Sequence, residues 1–434
     1  MKSGLFTIFF FFISFSIFSQ NLYFPPASGD DWDTLSPASL NWCQFKIDSL
    51  YNFLEKENTR SFILLKDGKI VLEKYFGSHN VNSLWYWASA GKTLTSFMVG
   101  LAQQEGYLDI LEKTSGYLGN GWTSCATDQE DRITIRNQLT MTSGLDDGVD
   151  DPYCTLKNCL IYKSDAGTRW AYHNAPYTLL DQVIEKATGS NLNNYVIQKL
   201  RNKTGFSGLF LPSGYNNVFY STARNMARFG LLILNKGNWN GTQIMTDSAY
   251  FHQMTHKSQE INEAYGYLWW LNGSSSFMVP QSQFKFPGSF SPDAPADMIA
   301  ALGKNGQFLN VVPGKNLIWL RMGDAPDDSE VSFLLNNEIW KYINNLGCDP
   351  SGIPRISEIE MKVSMFPNPA SDNFSVESNK GINKITIFSR TGYRQKTFTK
   401  VIRDMNISDL KPGFYFVQII GEDGSVKYKS LMVF

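Results

Sequence analysis

The sequence predicts an α/β (α+β) fold in which one antiparallel sheet is built from both ends of a main domain, with a small β-sandwich behind it. Two β-rich runs flank Asp67-Gly68 early in the chain, which is the signal of a two-residue hairpin. Short helical patterns fill roughly 107–260, and strand-like runs then return as GYLWWLN, DMIAALG, QFLNVVP and NLIWLRMG. A hairpin at the start and strands at the end indicate a single sheet flanked by helices, with a helical insert between its two halves.

The helices of this domain are predicted from apolar spacing. The first is expected over residues 40–57, with four apolar positions at helical spacing, namely Leu40, Phe45, Leu50 and Leu54. A second helix follows Ser89 and has an apolar face made of Leu94, Met98, Leu101 and Ala102. A last helical pattern spans about 329–345. We expect the second of these to be a buried amphipathic helix.

Length and composition fit a globular chain with more than one domain. The 434 residues are enough for two or more domains, and 43% hydrophobic residues support a large core. Lys and Arg number 39 against 40 Asp and Glu, so no basic excess indicates nucleic acid. Aromatic residues make up 14%; we expect most in the core and the remainder lining an apolar cleft.

The chain begins with a predicted signal peptide over residues 1–19. MKSGLFTIFFFFISFSIFSQ has one lysine, then an apolar run, then small polar residues. A membrane anchor is the alternative, but a span needs about 20 apolar residues, and no positive cluster follows this run. We therefore expect no stable membrane span after processing.

Export makes disulfides possible, and the chain has five cysteines. Cys154 and Cys159 can close a short loop, and Cys43 and Cys348 can meet if the terminal helices of the main domain pack together. Cys125 is then left over, while a fully reduced set is the alternative. No cysteine spacing is typical of metal sites, and the His252 and His256 pair lacks a carboxylate motif, so we expect neither metal nor cofactor.

The stretch WASAGKTLTSF suggests nucleophilic chemistry. A helix that starts near Ser89 brings Lys92 onto the same face, because positions i and i+3 are neighbours. A serine needs a base to take its proton. The free pKa of lysine is about 10.4, so a base at pH 7 needs a lowered pKa, at a cost of about 4 kcal/mol. The site must therefore be partly desolvated.

Spacing alone is a weak signal, since a second S-x-x-K begins at Ser408 in a predicted turn. A Tyr-x-Asn pair at Tyr172 and Asn174 adds a phenol and an amide that face one cleft if the segment is extended. The same pattern recurs at Tyr215 and Tyr342, so each pair taken alone is read as structural.

Together these residues resemble a known superfamily. SAGK at 89–92, LTMTSGL at 139–145 and YHN at 172–174 occur in the order found in the serine β-lactamases and penicillin-binding proteins. GTRWAYHNAPY, YGYLWW and ALGKNGQFLNVVPGKNL look most like the branch of 6-aminohexanoate-dimer hydrolase and class C-like esterases. The resemblance covers about residues 40–345 and implies a β-lactamase-like fold.

The resemblance also implies roles. Ser89 would be acylated, Lys92 would be its base and Tyr172 a proton relay. Asn174 would position the lysine and the substrate. For the oxyanion site, the family's third motif falls on residues 301–303, so that the N–H of Lys304 after Gly303 would join that of Ser89.

This third motif departs from the family. The cation and hydroxyl that recognise a β-lactam carboxylate are replaced by Ala301 and Leu302. An alternative alignment places the motif on Lys304-Asn305-Gly306, but then Gly306-Gln307 and Pro313 no longer align with the family pattern. Without the cation, a charge-assisted contact of about 1.5–3 kcal/mol is lost. We expect weak or no β-lactamase activity and an ester or amide with an apolar acyl side.

A break rich in Gly and Pro predicts a linker over residues 348–363 between a main domain at 20–347 and a tail at 364–434. Short β-runs in the tail predict a small β-sandwich. MFPNPASDNFSVES, ITIFSRTGYRQK and the final KYKSLMVF resemble the C-terminal sorting domain of the type IX secretion system. This implies secretion machinery as a partner and export through the periplasm of a Gram-negative bacterium to its surface or medium. A plain adhesive module is the alternative.

The expected function is thus a secreted serine hydrolase acting on a small-molecule ester or amide, without nucleic acid as a partner. Two alternatives stay open. One is a β-lactamase or DD-peptidase acting on penicillin or peptidoglycan peptides. The other is a non-catalytic surface binding protein that kept the fold.

Overall fold

A computed structural model describes residues 22–29, 31–324, 330–348, 361–389, 392–399 and 403–434. The predicted signal peptide, and all of the predicted linker except residues 348 and 361–363, lie outside these residues. In the described ranges, no helix is long and apolar enough to cross a membrane.

The helices all lie in residues 22–348 of the described chain. They are α1 (Gln44–Lys56), α2 (Lys92–Gln104), α3 (Ser115–Leu118), α4 (Thr127–Glu130), α5 (Ile135–Leu139), α6 (Asn174–Thr188), α7 (Leu192–Val196), α8 (Asn202–Thr204), α9 (Ala223–Leu234), α10 (Ser248–Thr255) and α11 (Phe333–Asn344). All the helices between α2 and α11, from α3 to α10, lie in the predicted insert.

The strands of the same part of the chain are mostly short. They are β1 (Thr59–Lys66), β2 (Lys69–Tyr75), β3 (Trp85–Tyr86), β4 (Leu209–Ser213), β5 (Asn216–Ser221), β6 (Asn238–Trp239), β7 (Thr242–Gln243), β8 (Trp270–Leu271), β9 (Ser276–Phe277), β10 (Phe286–Pro287), β11 (Ile299–Gly303), β12 (Gln307–Val312) and β13 (Leu317–Gly323). Six of them form the main sheet, in the order β2-β1-β13-β12-β11-β8.

This sheet confirms the predicted assembly from two distant parts of the chain. Strand β1 pairs antiparallel with β13, and Leu64 lies opposite Trp319. Neighbouring residues of β13 point to opposite faces of the sheet. Ile318 packs near Gly230 of α9, whereas the Trp319 ring lies 5.8 Å from that of Trp340 in α11. Every residue of β12 and β13 is buried, because helices cover both faces of the sheet.

The predicted hairpin joins β1 to β2 through Asp67 and Gly68, whose φ angles are 53° and 83°. Positive φ at both central residues is typical of a type I′ turn. Gly68 is also needed for close approach, since an added Cβ would lie 2.0 Å from the Tyr23 carbonyl oxygen.

Three helix and strand predictions need correction. Leu40 ends a separate 3-10 turn, and Phe45 is 65% exposed, because Ile47 takes its place on the buried face of α1. Helix α2 is not amphipathic: residues 92–102 are all buried, since α6 and α10 also pack on it. The run GYLWWLN is extended only at β8, because Leu268 has φ of 61°.

Both predicted disulfides are present. Cys43 is bonded to Cys348 across 305 residues, and Cys154 to Cys159 across five. Cys125 is a free thiol. Next to the first bond, the Cys43 N–H donates to the Leu346 carbonyl, so the start of α1 is tied to the end of α11.

The C-terminal residues form seven strands around their own core. These are β14 (Val363–Phe366), β15 (Asn373–Ser378), β16 (Ile382–Ser389), β17 (Arg394–Phe398), β18 (Met405–Asn406), β19 (Gly413–Gly421) and β20 (Val426–Val433). They make a three-stranded sheet, β14-β15-β18, and a four-stranded sheet, β17-β16-β19-β20. Phe374 and Val417, one from each sheet, are fully buried in a shared cluster, so the segment is a small two-sheet β-structure as predicted.

We predict that replacing both Cys43 and Cys348 by serine lowers the free energy of unfolding by about 2–5 kcal/mol, because the bond restricts a very long loop in the unfolded chain. Urea denaturation under non-reducing conditions measures this. The matched control is Cys125→Ser, which removes an unpaired thiol. Equal stabilities of the double variant and the control would show that the long-range bond contributes nothing.

Candidate active site

Ser89 lies in a short 3-10 turn, Ala88–Gly91, that leads directly into α2. Ala88 has φ of 46°, a left-handed conformation that non-glycine residues rarely adopt. Trp87 anchors the turn: it is fully buried, and its indole Nε1 donates to the Ser221 hydroxyl at 2.9 Å. The turn is therefore held in a strained conformation by a buried ring.

Lys92 joins the predicted residues into one site. Its Nζ is 2.7 Å from Ser89 Oγ and 2.8 Å from Asn174 Oδ1. The lysine side chain is almost fully buried, with its residue only 1% exposed. The structure thus brings the serine, the lysine and the amide into direct hydrogen-bonding contact.

Burial is what favours the neutral form of Lys92. The rings of Tyr172 and Tyr177, whose centroids lie 4.8 Å and 4.1 Å from Nζ, exclude water from the amine, although their cation–π attraction favours the charged form. Burial lowers the pKa of Lys92 to about 7, and the negative charge of Glu330 opposes that change. A large part of this amine is therefore unprotonated at neutral pH.

Tyr172 is held by aromatic packing. Its ring stacks on Trp270 at a centroid distance of 5.7 Å and an interplanar angle of 27°. Burial raises the pKa of Tyr172 well above its usual value, although an interaction with the Ser89 side chain acts in the opposite direction. The phenol is therefore protonated and able to donate a proton.

The segment around Tyr172 differs from the extended form considered in the sequence. His173 has extended backbone angles, but Asn174 is already the first residue of α6. Helix α6 thus aims the amide at Lys92. The His173 ring is buried, and burial lowers the pKa of His173 to about 4, so the imidazole is neutral.

Strand β11 runs beside the serine turn and ends at Gly303. A Cβ added to Gly303 would lie 2.4 Å from the carbonyl oxygen of Trp87 and 2.9 Å from the amide nitrogen of Ala90. Only glycine allows this close approach, which places the N–H of Lys304 next to the turn. The neighbouring Ala301 and Leu302 are buried, with no basic side chain at either position.

The alternative motif at residues 304–306 does not lie in a strand. These residues form a 3-10 turn in which Asn305 has φ of 63°. The Asn305 side chain donates to the Tyr86 hydroxyl at 2.8 Å. The strand beside Ser89 is thus the one that carries Ala301, Leu302 and Gly303.

The structure adds residues that the sequence analysis missed. Tyr177 follows Asn174 by three positions, so helical spacing on α6 was an available signal. Asp181, one turn further, accepts hydrogen bonds from Thr95 at 3.3 Å and Asn217 at 3.2 Å. Burial raises the pKa of Asp181 to about 7, against the effect of those two bonds.

Other repeats of the motifs lie elsewhere. The Ser408 hydroxyl donates to Asn406 in the C-terminal strands, as expected for a turn. Tyr342 stacks on Phe53 at 4.6 Å in the packing of α11 on α1. Within the described part of the chain, no three His, Cys, Asp or Glu side chains are grouped as a metal site would require.

The comparisons with known proteins identify the family. Residues 60–323, more than half of the chain, match the family model described as Beta-lactamase. The chain belongs to the beta-lactamase family. The predicted resemblance and fold are thereby confirmed, and this family member is a serine hydrolase.

Solved structures share this β-lactamase-like fold. A putative 6-aminohexanoate-dimer hydrolase from Bacillus anthracis is 18% identical, with 75% of this chain and 91% of that chain covered and a TM-score of 0.57. A putative beta-lactamase from Bacteroides dorei is 15% identical, covers 70% and 99%, and has a TM-score of 0.55. A family VIII carboxylesterase is 15% identical, covers 70% and 97%, and has a TM-score of 0.53. These identities establish the fold alone.

The tail has its own match. Residues 364–433 match the secretion system C-terminal sorting domain. This confirms the predicted export: the beta-lactamase family protein is secreted or displayed on the cell surface by type IX secretion. No curated protein sequence matched the chain.

We predict that Gly303→Ala lowers the free energy of unfolding by about 1–3 kcal/mol, since the new methyl group must displace the turn that carries Ser89. Urea denaturation measures the change. Gly116→Ala is the matched control, because an added Cβ there has no atom within 4 Å. If both variants had wild-type stability, the close contact between β11 and the turn would be disproved.

Proposed function

We propose that the protein hydrolyses an ester or amide bond in a small molecule through an acyl-enzyme on Ser89. The observation that carries this proposal is the 2.7 Å contact between Ser89 Oγ and the buried Nζ of Lys92. A buried amine with a pKa of about 7 is a base that works at neutral pH. A solvent-exposed lysine at the same spacing would be protonated and unable to act.

The first step forms the acyl-enzyme. Neutral Lys92 takes the hydroxyl proton while Ser89 Oγ attacks the substrate carbonyl carbon. The N–H groups of Ser89 and Lys304 hold the resulting oxyanion, and one such donor contributes roughly 3–4 kcal/mol. Tyr172 then donates its phenolic proton to the leaving alcohol or amine and regains a proton from Lys92. The bond between the carbonyl carbon and the leaving group breaks.

Water completes the reaction. It attacks the acyl carbon and loses a proton to Lys92, and the ester bond then breaks as Ser89 Oγ takes that proton back, which releases a carboxylic acid and restores the neutral lysine. Asn174 supports both steps, because its Oδ1 holds Nζ at 2.8 Å and so fixes the direction of proton transfer. Without the amide, Nζ of Lys92 would no longer be held beside Ser89 Oγ.

The apolar third motif favours esters and amides over β-lactams. The positions of Ala301 and Leu302 hold no cation for a substrate carboxylate. The aromatic residues around Tyr172, among them Trp270 and Trp170, are buried and make its surroundings apolar. We propose that the acyl side of the substrate is apolar.

The domain plan is part of the same proposal. Residues 1–19 act as the signal peptide, 20–347 as the hydrolase, 348–363 as the linker and 364–434 as the sorting domain. The match of the tail to a sorting domain supports a transient interaction with the secretion machinery.

We predict that Ser89→Ala loses ester hydrolysis by at least about 10³-fold, because no other hydroxyl can be acylated at this position. Short p-nitrophenyl esters and nitrocefin are the substrates, and a fluorophosphonate probe with mass spectrometry detects the covalent adduct. We expect the wild type to be labelled at Ser89 and to turn over the esters faster than nitrocefin.

The control is Ser408→Ala, which removes the serine of the other S-x-x-K and leaves hydrolysis unchanged. Faster nitrocefin turnover would instead favour a β-lactamase or DD-peptidase. An unlabelled wild type would favour a non-catalytic binding protein.

We predict that kcat/KM for a neutral ester rises with pH through about 7 and is constant above it, because Lys92 must lose its proton before it can accept that of Ser89. A pH–rate profile from pH 5 to 9 measures this rise. Asp181 titrates in the same range, so Asp181→Asn is the control, and it should leave the rise in place. A flat wild-type profile would contradict the assignment of Lys92 as base.

A further inference from the structure

Glu330 is a carboxylate at the site that the reaction as proposed does not use. It lies three residues before the first residue of α11. Tyr153 donates a hydrogen bond to its Oε2 at 3.0 Å, and Lys304 Nζ lies 3.7 Å from its Oε1. About a quarter of its side chain, 27%, is exposed, so the carboxylate borders on solvent.

Two elements hold Glu330 near the reacting groups. Lys304 directly follows Gly303, which touches the turn of Ser89. On the other side, the ring of Phe333 lies 5.0 Å from Trp270, which stacks on Tyr172. Consistent with this placement, the charge of Glu330 raises the pKa of both Lys92 and Tyr172.

Within the described residues, the contacts of Glu330 compensate its charge only weakly. Tyr153 is neutral, since burial and the nearby Glu330 raise the pKa of its phenol. Lys304 is half exposed, and its 3.7 Å separation is long for a salt bridge. The site thus has a negative group whose charge acts on Tyr172, while Ala301 and Leu302 offer no positive one.

We propose that Glu330 selects substrates by charge: it attracts those with an ammonium group on the leaving-group side and disfavours those with a carboxylate there. We assign the leaving-group side because the charge of Glu330 acts on Tyr172, the proposed proton donor to the leaving group. This inference rests on the proposed function and names the substrate class within it.

The same carboxylate acts on the pH dependence. The rings of Tyr172 and Tyr177 lie against Lys92, and the charge of Asp181 acts on Tyr177. The negative charge of Glu330 raises the pKa of Lys92. Removal of its charge should therefore move the rise of kcat/KM to lower pH.

The test compares three acetyl thioesters with differently charged leaving groups: acetylthiocholine, its neutral 3,3-dimethylbutyl isostere, and the smaller anionic 3-(acetylthio)propanoate. Released thiol is measured in the full chain carrying Cys125→Ser, which removes the background from the free cysteine. In Glu330→Gln, the kcat/KM ratio of the cationic to the neutral substrate should fall about fivefold. The ratio for the anionic substrate should rise.

Two further variants sharpen the test. Lys304→Gln should increase the preference for the cation, since it removes the opposing charge. Glu338→Gln is the matched control, because it removes a carboxylate of α11 that pairs with Lys341. It should leave every ratio unchanged. The rise of the pH profile should move down only in Glu330→Gln.

The outcomes separate the two proposals. Equal substrate ratios in Glu330→Gln and the wild type, with the neutral thioester still hydrolysed, would overturn the role of Glu330 and leave the hydrolase intact. If the wild type neither hydrolysed the thioesters nor reacted with the fluorophosphonate, the proposed function would be overturned, and the charge selection with it.

Discussion

The burial of a single amine is the constraint on which the site depends. Lys92 is surrounded by protein on every side because α2 runs through the middle of the domain, with α6 and α10 packed on it. Taking an ammonium group out of water is costly, and the neutral amine is the form that avoids most of the cost. Two tyrosine rings and one amide oxygen provide the contacts that remain. The core thus favours the neutral form of this lysine, which the proposed reaction needs as its base.

The sheet determines where this base can be useful. Its central strand β13 comes from the end of the domain and pairs with β1 from the beginning, so β11 is carried to the side of the Ser89 turn. The contact at Gly303 then fixes the turn against the strand with no side chain in between. Packing far from Ser89 in sequence therefore controls the geometry around its hydroxyl. Substitutions in β12 or β13 would therefore change the position of the Ser89 turn through the backbone of β11.

Local patterns in the sequence predicted the parts that depend on local structure. Asp67-Gly68 indicated a hairpin, because few other structures place two successive residues in the left-handed conformation. S-x-x-K indicated a pair of side chains one helical turn apart. The apolar face predicted from Leu40 and Phe45 was wrong, because apolar spacing alone does not tell which face of a helix is buried. In α1, Ile47 lies on the buried face instead of Phe45. Glu330 and Tyr153 could not be predicted, since 177 positions separate them and only the folded chain brings them together. The depth at which Lys92 is buried is likewise a property of several helices at once.

The bond between Cys43 and Cys348 has a mechanical consequence. Cys348 is the first residue of the predicted linker that leads toward the tail, and its partner Cys43 directly precedes α1. A force that pulls on the tail would be passed through this disulfide to Cys43. It would bypass β13, whose hydrogen bonds to β1 and β12 would otherwise break one after another. The sheet beside the Ser89 turn would therefore stay paired under a load applied at the C-terminal end.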